Sequence, residues 1–315
     1  MIQLLFRTGV PIVRSRWLSP TTQPDRTWQP EQRYLYPAHV FLPKNIIENQ
    51  PSLPLLIDVH GGAFITNIPT IDDPVCRYLA DHGHCLVISI DYRKAPQNPF
   101  PAGYDDVVEQ IVALLSGSDF LFDREKVFLF GSSAGGNLVL GAAQDSRLRG
   151  KIAGVMALYP VTDSSIPFAK KMAARPDATV PDLLETSYDG VLEVYLGDGG
   201  SEHPMTKDVR ASPGLFERRE DLPKYVYLIG AEHDLLCKEA EVMAERLVEG
   251  EEKVPEGSGW KAGDVRWEQI NGQTHGFDVF GRQGETKQQK VDRLKAKENV
   301  YESMAKWMRE VASVG

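Results

Sequence analysis

Residues 127–141 constrain this chain more than any other stretch. Val127-Phe128-Leu129-Phe130 is a short, continuous apolar run, the pattern of a strand buried on both faces. Gly131-Ser132-Ser133-Ala134-Gly135 follows, and Gly136-Asn137-Leu138-Val139-Leu140-Gly141 opens a helix. A G-x-S-x-G pentapeptide between strand and helix predicts a sharp turn that lifts the central hydroxyl out of the sheet. The flanking glycines let strand and helix pack closely, and the helix N-terminus favours negative charge in front of the hydroxyl. Ser133 is therefore the candidate nucleophile, and no second G-x-S-x-G occurs in the chain.

Around this turn the chain alternates between two kinds of segment. Strand-like runs occur at Leu55–His60, Leu86–Asp91, Gly154–Tyr159, Tyr225–Ile229 and Val265–Ile270. Amphipathic stretches fall at Pro74–His82, Tyr104–Ser116, Asn137–Asp145 and Lys238–Glu249. Such alternation predicts an α/β fold: a mostly parallel central sheet flanked by helices, with right-handed crossovers. A last helix is expected over Lys287–Val311, where Leu294, Tyr301, Met304, Met308 and Val311 recur near helical spacing.

Three stretches break the alternation. Residues 1–35 precede the sheet, 161–213 are rich in Pro, Asp and Gly, and Glu249–Gly263 is polar and expected as an exposed loop. Insertions at strand C-termini of open α/β sheets face the ligand crevice, so the first two are candidates for a cap. The expected division is an N-terminal cap segment over 1–45, a core over 46–160 and 214–315, and a cap insertion over 161–213.

A serine hydroxyl is a poor nucleophile at neutral pH and needs a histidine base held by a carboxylate. In a strand–turn–helix site of this kind the acid and then the base follow the serine along the chain. Asp234 follows the Tyr225–Ile229 run directly, and His275 follows the Val265–Ile270 run. Both therefore fall at strand C-terminal ends, beside Ser133. Glu232 is an alternative acid, and His233 an alternative base. His60-Gly61-Gly62-Ala63-Phe64 follows the first parallel run and offers small residues whose N–H groups can approach a developing oxyanion. Ala134, next after the nucleophile, supplies another such donor, while the bland alternative for His60 is a structural histidine in a tight turn.

Composition narrows the partners. The 315 residues carry a net charge of −9, which disfavours nucleic acid and anionic membrane surfaces. No apolar run of about 18 residues exists, so no membrane span is expected. Met1–Pro20 lacks an unbroken apolar stretch and is not read as a signal peptide. Cys76, Cys85 and Cys237 show no disulfide or zinc-site spacing, so free thiols in a cytoplasmic setting are expected. His82 and His84 form an H-x-H pair with no third ligand in view, so no metal site is expected.

Taken together, His60-Gly61-Gly62-Ala63-Phe64, Asp91-Tyr92-Arg93-Lys94-Ala95-Pro96, Phe100-Pro101-Ala102 and Gly131-Ser132-Ser133-Ala134-Gly135-Gly136-Asn137 resemble the hormone-sensitive-lipase-type carboxylesterases of the α/β-hydrolase superfamily. Ser212-Pro213 and Asp234-Leu235-Leu236 also fall where that family has matching motifs. The resemblance runs from about Leu53 onward and is weak across 161–210 and 249–263. It implies Ser133, Asp234 and His275 as the triad. It implies Gly62, Ala63 and Ala134 as oxyanion donors, with Gly61 setting the turn, and a cap made of the N-terminal segment and the 161–213 insertion. Three positions depart from the family pattern: Ala63 stands where a third glycine is common, Ser132 where Asp, or Thr in a subgroup, is common, and Leu235 where proline is common. The resemblance also admits a homodimer.

The expected activity is hydrolysis of a small or medium, largely apolar ester through an acyl-enzyme, with no metal or organic cofactor. The chain also looks similar to fungal members of the family. The same triad could therefore serve a natural-product pathway, as hydrolase, acyltransferase or cyclase. A ligand-binding protein on the same fold is the third reading, and the presence of all three triad residues weighs against it.

Overall fold

The computed structural model describes residues 22–31, 35–44, 52–282 and 284–314. Most of the expected N-terminal cap segment, 1–21 with 32–34, lies outside the described residues. Strand β3 (Leu55–Val59) leads to helix α1 (Asp73–Gly83) and β4 (Leu86–Ile90). Helix α2 (Ala102–Ser116), β5 (Val127–Ser132), α3 (Ala134–Ala142) and β6 (Gly154–Leu158) follow. The sheet is completed by β7 (Tyr225–Ala231) and β10 (Val265–Ile270), with α6 (Cys237–Leu247) between them. Two strands, β1 (Arg26–Trp28) and β2 (Ala38–Phe41), precede this series.

The sheet order is β1-β2-β4-β3-β5-β6-β7-β10-β9-β8, where β8 is Val254–Glu256 and β9 is Gly259–Ala262. The run from β4 to β10 is parallel throughout, and only the outer strands are antiparallel. After β4 is laid on one side of β3, β5 is laid on the other. The strand order thus reverses at β3, and open α/β sheets bind their ligands at the strand C-terminal ends beside such a reversal.

Strands covered on both faces need apolar residues in both directions, which explains their unbroken runs. Val127 and Leu129 pack into one core with α2, α3 and α6. Phe128 and Phe130 pack into the other, with α1 and the long C-terminal helix α7 (Lys287–Ser313). Thr286 caps α7, accepting from the Gln289 amide at 3.2 Å while the Gln289 side chain accepts from the Thr286 amide at 2.9 Å.

Two expectations give way. Arg26–Trp28 and Ala38–Phe41, within the expected 1–45 cap segment, are strands of the sheet, the first at its edge and the second between it and β4. Four residues are too few to show a period, although Ala38, Val40 and Phe41 are fully buried. Residues 249–263, expected as an exposed loop, contain the β8–β9 hairpin, which pairs onto β10. Its strands are three and four residues long, too short for an alternation to announce them. The 161–213 insertion carries two short helices, α4 (Phe168–Ala173) and α5 (Tyr188–Leu196).

Candidate active site

The sequence places Ser133 between β5 and α3, and the structure makes that junction abrupt. Ser133 has φ 54° and ψ −119°, a left-handed conformation that costs a non-glycine residue about 1–3 kcal/mol. Its N–H is held by the Leu158 carbonyl at 2.9 Å, and its carbonyl accepts from the Asn137 amide at 3.1 Å. A Cβ at Gly135 would overlap the Val59 carbonyl, so only glycine lets α3 start this close to β3.

Asp234 and His275 come from the loops that leave β7 and β10. Ala231 and Ile270 are register partners at the ends of β7 and β10, and the loops leaving them stay zipped together. The Glu232 amide donates to the Ile270 carbonyl at 3.1 Å, and the His233 amide to the Gln273 carbonyl at 2.8 Å. The His275 imidazole bridges the gap: Nε2 lies 2.8 Å from Ser133 Oγ, and Nδ1 lies 2.8 Å from Asp234 Oδ2. Asp234 is buried, and its Oδ1 accepts from the Leu236 amide at 2.9 Å. Burial disfavours a charged imidazole. The charge of Asp234 and its hydrogen bond, with the charges of Asp182 and Asp278, together outweigh it, and His275 is held above the usual histidine range.

Of the two alternatives, Glu232 accepts from the Gly272 amide at 2.6 Å, and His233 Nε2 lies 3.7 Å from Glu232. His275 therefore takes its carboxylate from Asp234.

The 60–67 loop faces Ser133, because β3 and β5 are paired up to Val59 and Gly131. A Cβ on Gly61 would stand 3.3 Å from Ser133 Cβ. Gly62 has φ 138°, which L side chains rarely adopt, and its carbonyl accepts from Ile65, Thr66 and the Thr66 hydroxyl. Ala63 (φ 56°) and Phe64 (φ 60°) continue the turn in left-handed conformations. Ala63 thus adopts the backbone that glycine would favour and keeps its N–H. Among the described residues, the N–H groups of Gly62 and Ala63 donate to no acceptor. Ala134 is the first residue of α3, where N–H groups lack intrahelical partners.

His60 does not reach the reacting groups. It is fully buried, stacked on Tyr92 at 4.7 Å, with Nδ1 2.7 Å from the Gly61 carbonyl and Nε2 3.1 Å from Asp91. Burial, with the nearby Lys94 charge, holds it below the usual histidine range. It braces the loop from beneath.

Two neighbours escaped the sequence reading. Tyr159 ends the β6 run with φ 39°, sets its ring 4.7 Å from that of His275, and donates from its hydroxyl to Asp278. An aromatic residue at the end of a parallel strand was the only sign of it. Asp182, in the insertion, accepts from the Leu235 amide at 2.7 Å and the His275 amide at 3.3 Å. No local pattern marked it. The insertion touches the opposite flank as well, where Tyr195 of α5 stacks on Phe64 at 3.8 Å.

The strand order and the loops at the C-terminal edge of the sheet define an α/β hydrolase. Residues 56–279 match the family described as the α/β hydrolase fold, and the chain belongs to that family, with the hormone-sensitive-lipase-type carboxylesterases. It is 29% identical over 220 residues to an arylesterase of Saccharolobus solfataricus, covering 69% of this chain and 68% of that one. It is 29% identical over 202 residues to versiconal hemiacetal acetate esterase of Aspergillus parasiticus, covering 60% and 59%. Among solved structures, a hyperthermophilic esterase from Pyrobaculum calidifontis superimposes with TM-score 0.69 at 26% identity, covering 88% of this chain and 81% of that one. The chain thus spans between 59% and 68% of the length of these two curated relatives. Among the described residues, no helix is long and apolar enough to cross a membrane.

Proposed function

We propose that this chain hydrolyses small or medium, largely apolar carboxylic esters through an acyl-enzyme on Ser133. The observation that carries this reading is the series Ser133 Oγ, His275 Nε2, His275 Nδ1 and Asp234 Oδ2, with 2.8 Å at each of its two hydrogen bonds. Ser133 Oγ attacks the ester carbonyl as His275 Nε2 takes its proton. Asp234 holds the N–H at Nδ1 and stabilises the imidazolium that forms. The carbonyl oxygen becomes an oxyanion and takes the N–H groups of Gly62, Ala63 and Ala134, each worth about 2.7–4 kcal/mol by analogy with measured donors. His275 then protonates the leaving alcohol. Water adds to the acyl-enzyme with His275 as base, and Ser133 regains its proton as the acid departs.

The apolar preference rests on the rim. Leu183 and Phe280 are exposed, and both approach Gly276, next to His275. The 161–213 insertion reaches both the Phe64 turn and the His275 loop, which supports its reading as a cap. Cys76, Cys85 and Cys237 are buried free thiols, which supports a cytoplasmic setting.

A second reading, a deacetylase or related enzyme on a natural-product intermediate, is favoured by the similarity to the versiconal esterase. One experiment separates them. The purified chain is treated with a serine-reactive organophosphonate, the adduct is located by mass spectrometry, and p-nitrophenyl esters of increasing chain length are assayed alongside. Labelling at Ser133 with turnover supports the general esterase. Labelling with no turnover of any simple ester supports the specialised substrate. An unlabelled Ser133 overturns both.

A further inference from the structure

Asp182 belongs to the 161–213 insertion, yet its buried carboxylate lies among the groups proposed to react. Oδ2 accepts from the Leu235 amide at 2.7 Å, and Oδ1 accepts from the His275 amide at 3.3 Å. Leu235 follows Asp234 directly, so one side chain holds the backbone beside the acid and the backbone of the base.

We propose that Asp182 is a positioning residue: its carboxylate ties the acid loop to the base loop and keeps His275 in line between Ser133 and Asp234. This rests on the reading of those three residues as the reacting groups. Both loops are irregular backbone, and a buried amide without a partner is unfavourable, so the loops are best satisfied in the one arrangement that brings both amides to this carboxylate. A third contact anchors the same element. Arg175, also in the insertion, donates from Nε to the His233 carbonyl at 2.9 Å. A change of about 1 Å in the position of a reacting group costs on the order of a hundredfold in rate, so even a loose clamp would be felt in turnover.

The charge of Asp182 gives the clamp a signature that a passive tether lacks. Asp182 faces Asp234 from the acid loop, His275 from the base loop, and Arg175 and Glu185 from its own insertion. Around His275 stand Ser133, Asp234, Asp182, Asp278 and the Tyr159 ring. The carboxylate at position 182 favours the imidazolium. Removing its charge while keeping its shape should make His275 easier to deprotonate.

The test uses the full chain with Asp182→Asn and Asp182→Glu, assayed on p-nitrophenyl butyrate across pH. Near-ultraviolet circular dichroism checks the fold, and organophosphonate labelling of Ser133 is followed in parallel. Asp182→Asn keeps one acceptor, so it should fold and bind substrate with KM little changed. Its kcat should fall on the order of ten- to a hundredfold. The acidic limb of its kcat/KM profile should move to lower pH, because the base must be neutral in the free enzyme. Asp182→Glu, which keeps the charge, should leave that limb near its wild-type position. Wild-type kcat with an unmoved limb in Asp182→Asn overturns the proposal, as does a loss carried by KM alone. Unfolding of both the Asn and Glu variants assigns Asp182 to folding and also overturns it. If wild-type Ser133 takes no label, the esterase reading itself fails. If wild type and Asp182→Asn label at equal rates, only this inference fails.

Discussion

On the Ser133 side of the candidate site, the Ser133 turn and the 60–67 loop leave two strands paired residue for residue up to Val59 and Gly131. On the other side, Asp234 and His275 stand on irregular loops beyond Ala231 and Ile270. The first side is held by close backbone packing between adjacent strands of the sheet, where Gly135 meets the Val59 carbonyl. The second is held by hydrogen bonds between loops and by Asp182 from a distant insertion. A turn whose geometry is set by strand, glycine and helix needs no further support. A side chain far out on a loop depends on whatever element ties that loop down.

The largest effect expected is on the Ser133 side. Ser133→Ala should lower kcat on the order of a millionfold on aryl esters while the circular dichroism spectrum is unchanged. Appreciable turnover in that variant would remove the basis of the contrast. On the other side, Asp234→Asn should cost on the order of ten thousandfold in kcat, because the imidazole loses the carboxylate that orients it. A cost as large as that of Ser133→Ala would mean that the acid does more than orient.

The pH dependence sharpens the same side. His275 is raised above its ordinary value of 6.5, and only its neutral form can accept the Ser133 proton. Activity should therefore be present at high pH and lost as pH falls through a midpoint above 6.5, read from kcat/KM. A midpoint below 6.5 would contradict the electrostatic balance drawn here.

A stability effect comes next. Lys171 of the insertion and Glu239 of α6 form a buried ion pair, and Glu239 also accepts from the Thr162 amide at 2.8 Å. Lys171→Met strands a buried carboxylate and should destabilise the chain by about 3–5 kcal/mol in denaturant unfolding. A loss below about 1 kcal/mol would show that the insertion is tied down elsewhere. The smallest effect is expected at Ala63, where φ is 56°. Ala63→Gly relieves the crowding of a left-handed alanine and loosens the unfolded chain, for a net gain of about 1 kcal/mol or less, with activity kept. A large loss of activity would instead give the Ala63 methyl a role in shaping the oxyanion loop.

Much of this site was legible before any coordinates. Ser133, the 60–64 turn, Asp234 and His275 each lie just after a buried apolar run, and parallel strands carry such positions to one edge. The long C-terminal helix, expected over Lys287–Val311, spans Lys287–Ser313, since its heavy apolar residues recur at helical spacing. What stayed hidden has no local period. Strand β2 is four residues long, and β8 and β9 are three and four, too short to show a period. Tyr159 reads as one more residue of a buried strand, and Asp182 as one more carboxylate in a polar stretch.

By itself, the amino-acid sequence determined the alternation of strands and helices, the turn that raises Ser133, and the strand ends after which Asp234 and His275 follow. Those features depend on neighbours along the chain: apolar runs, glycines and small loop residues. Only the tertiary structure decided that Asp234 rather than Glu232 meets His275, that Tyr159 lies against its ring, and that Asp182 bonds both loops. Each of these joins residues far apart in the chain. A hydrogen bond of that kind is specified by the packing of whole elements, which no local spacing encodes.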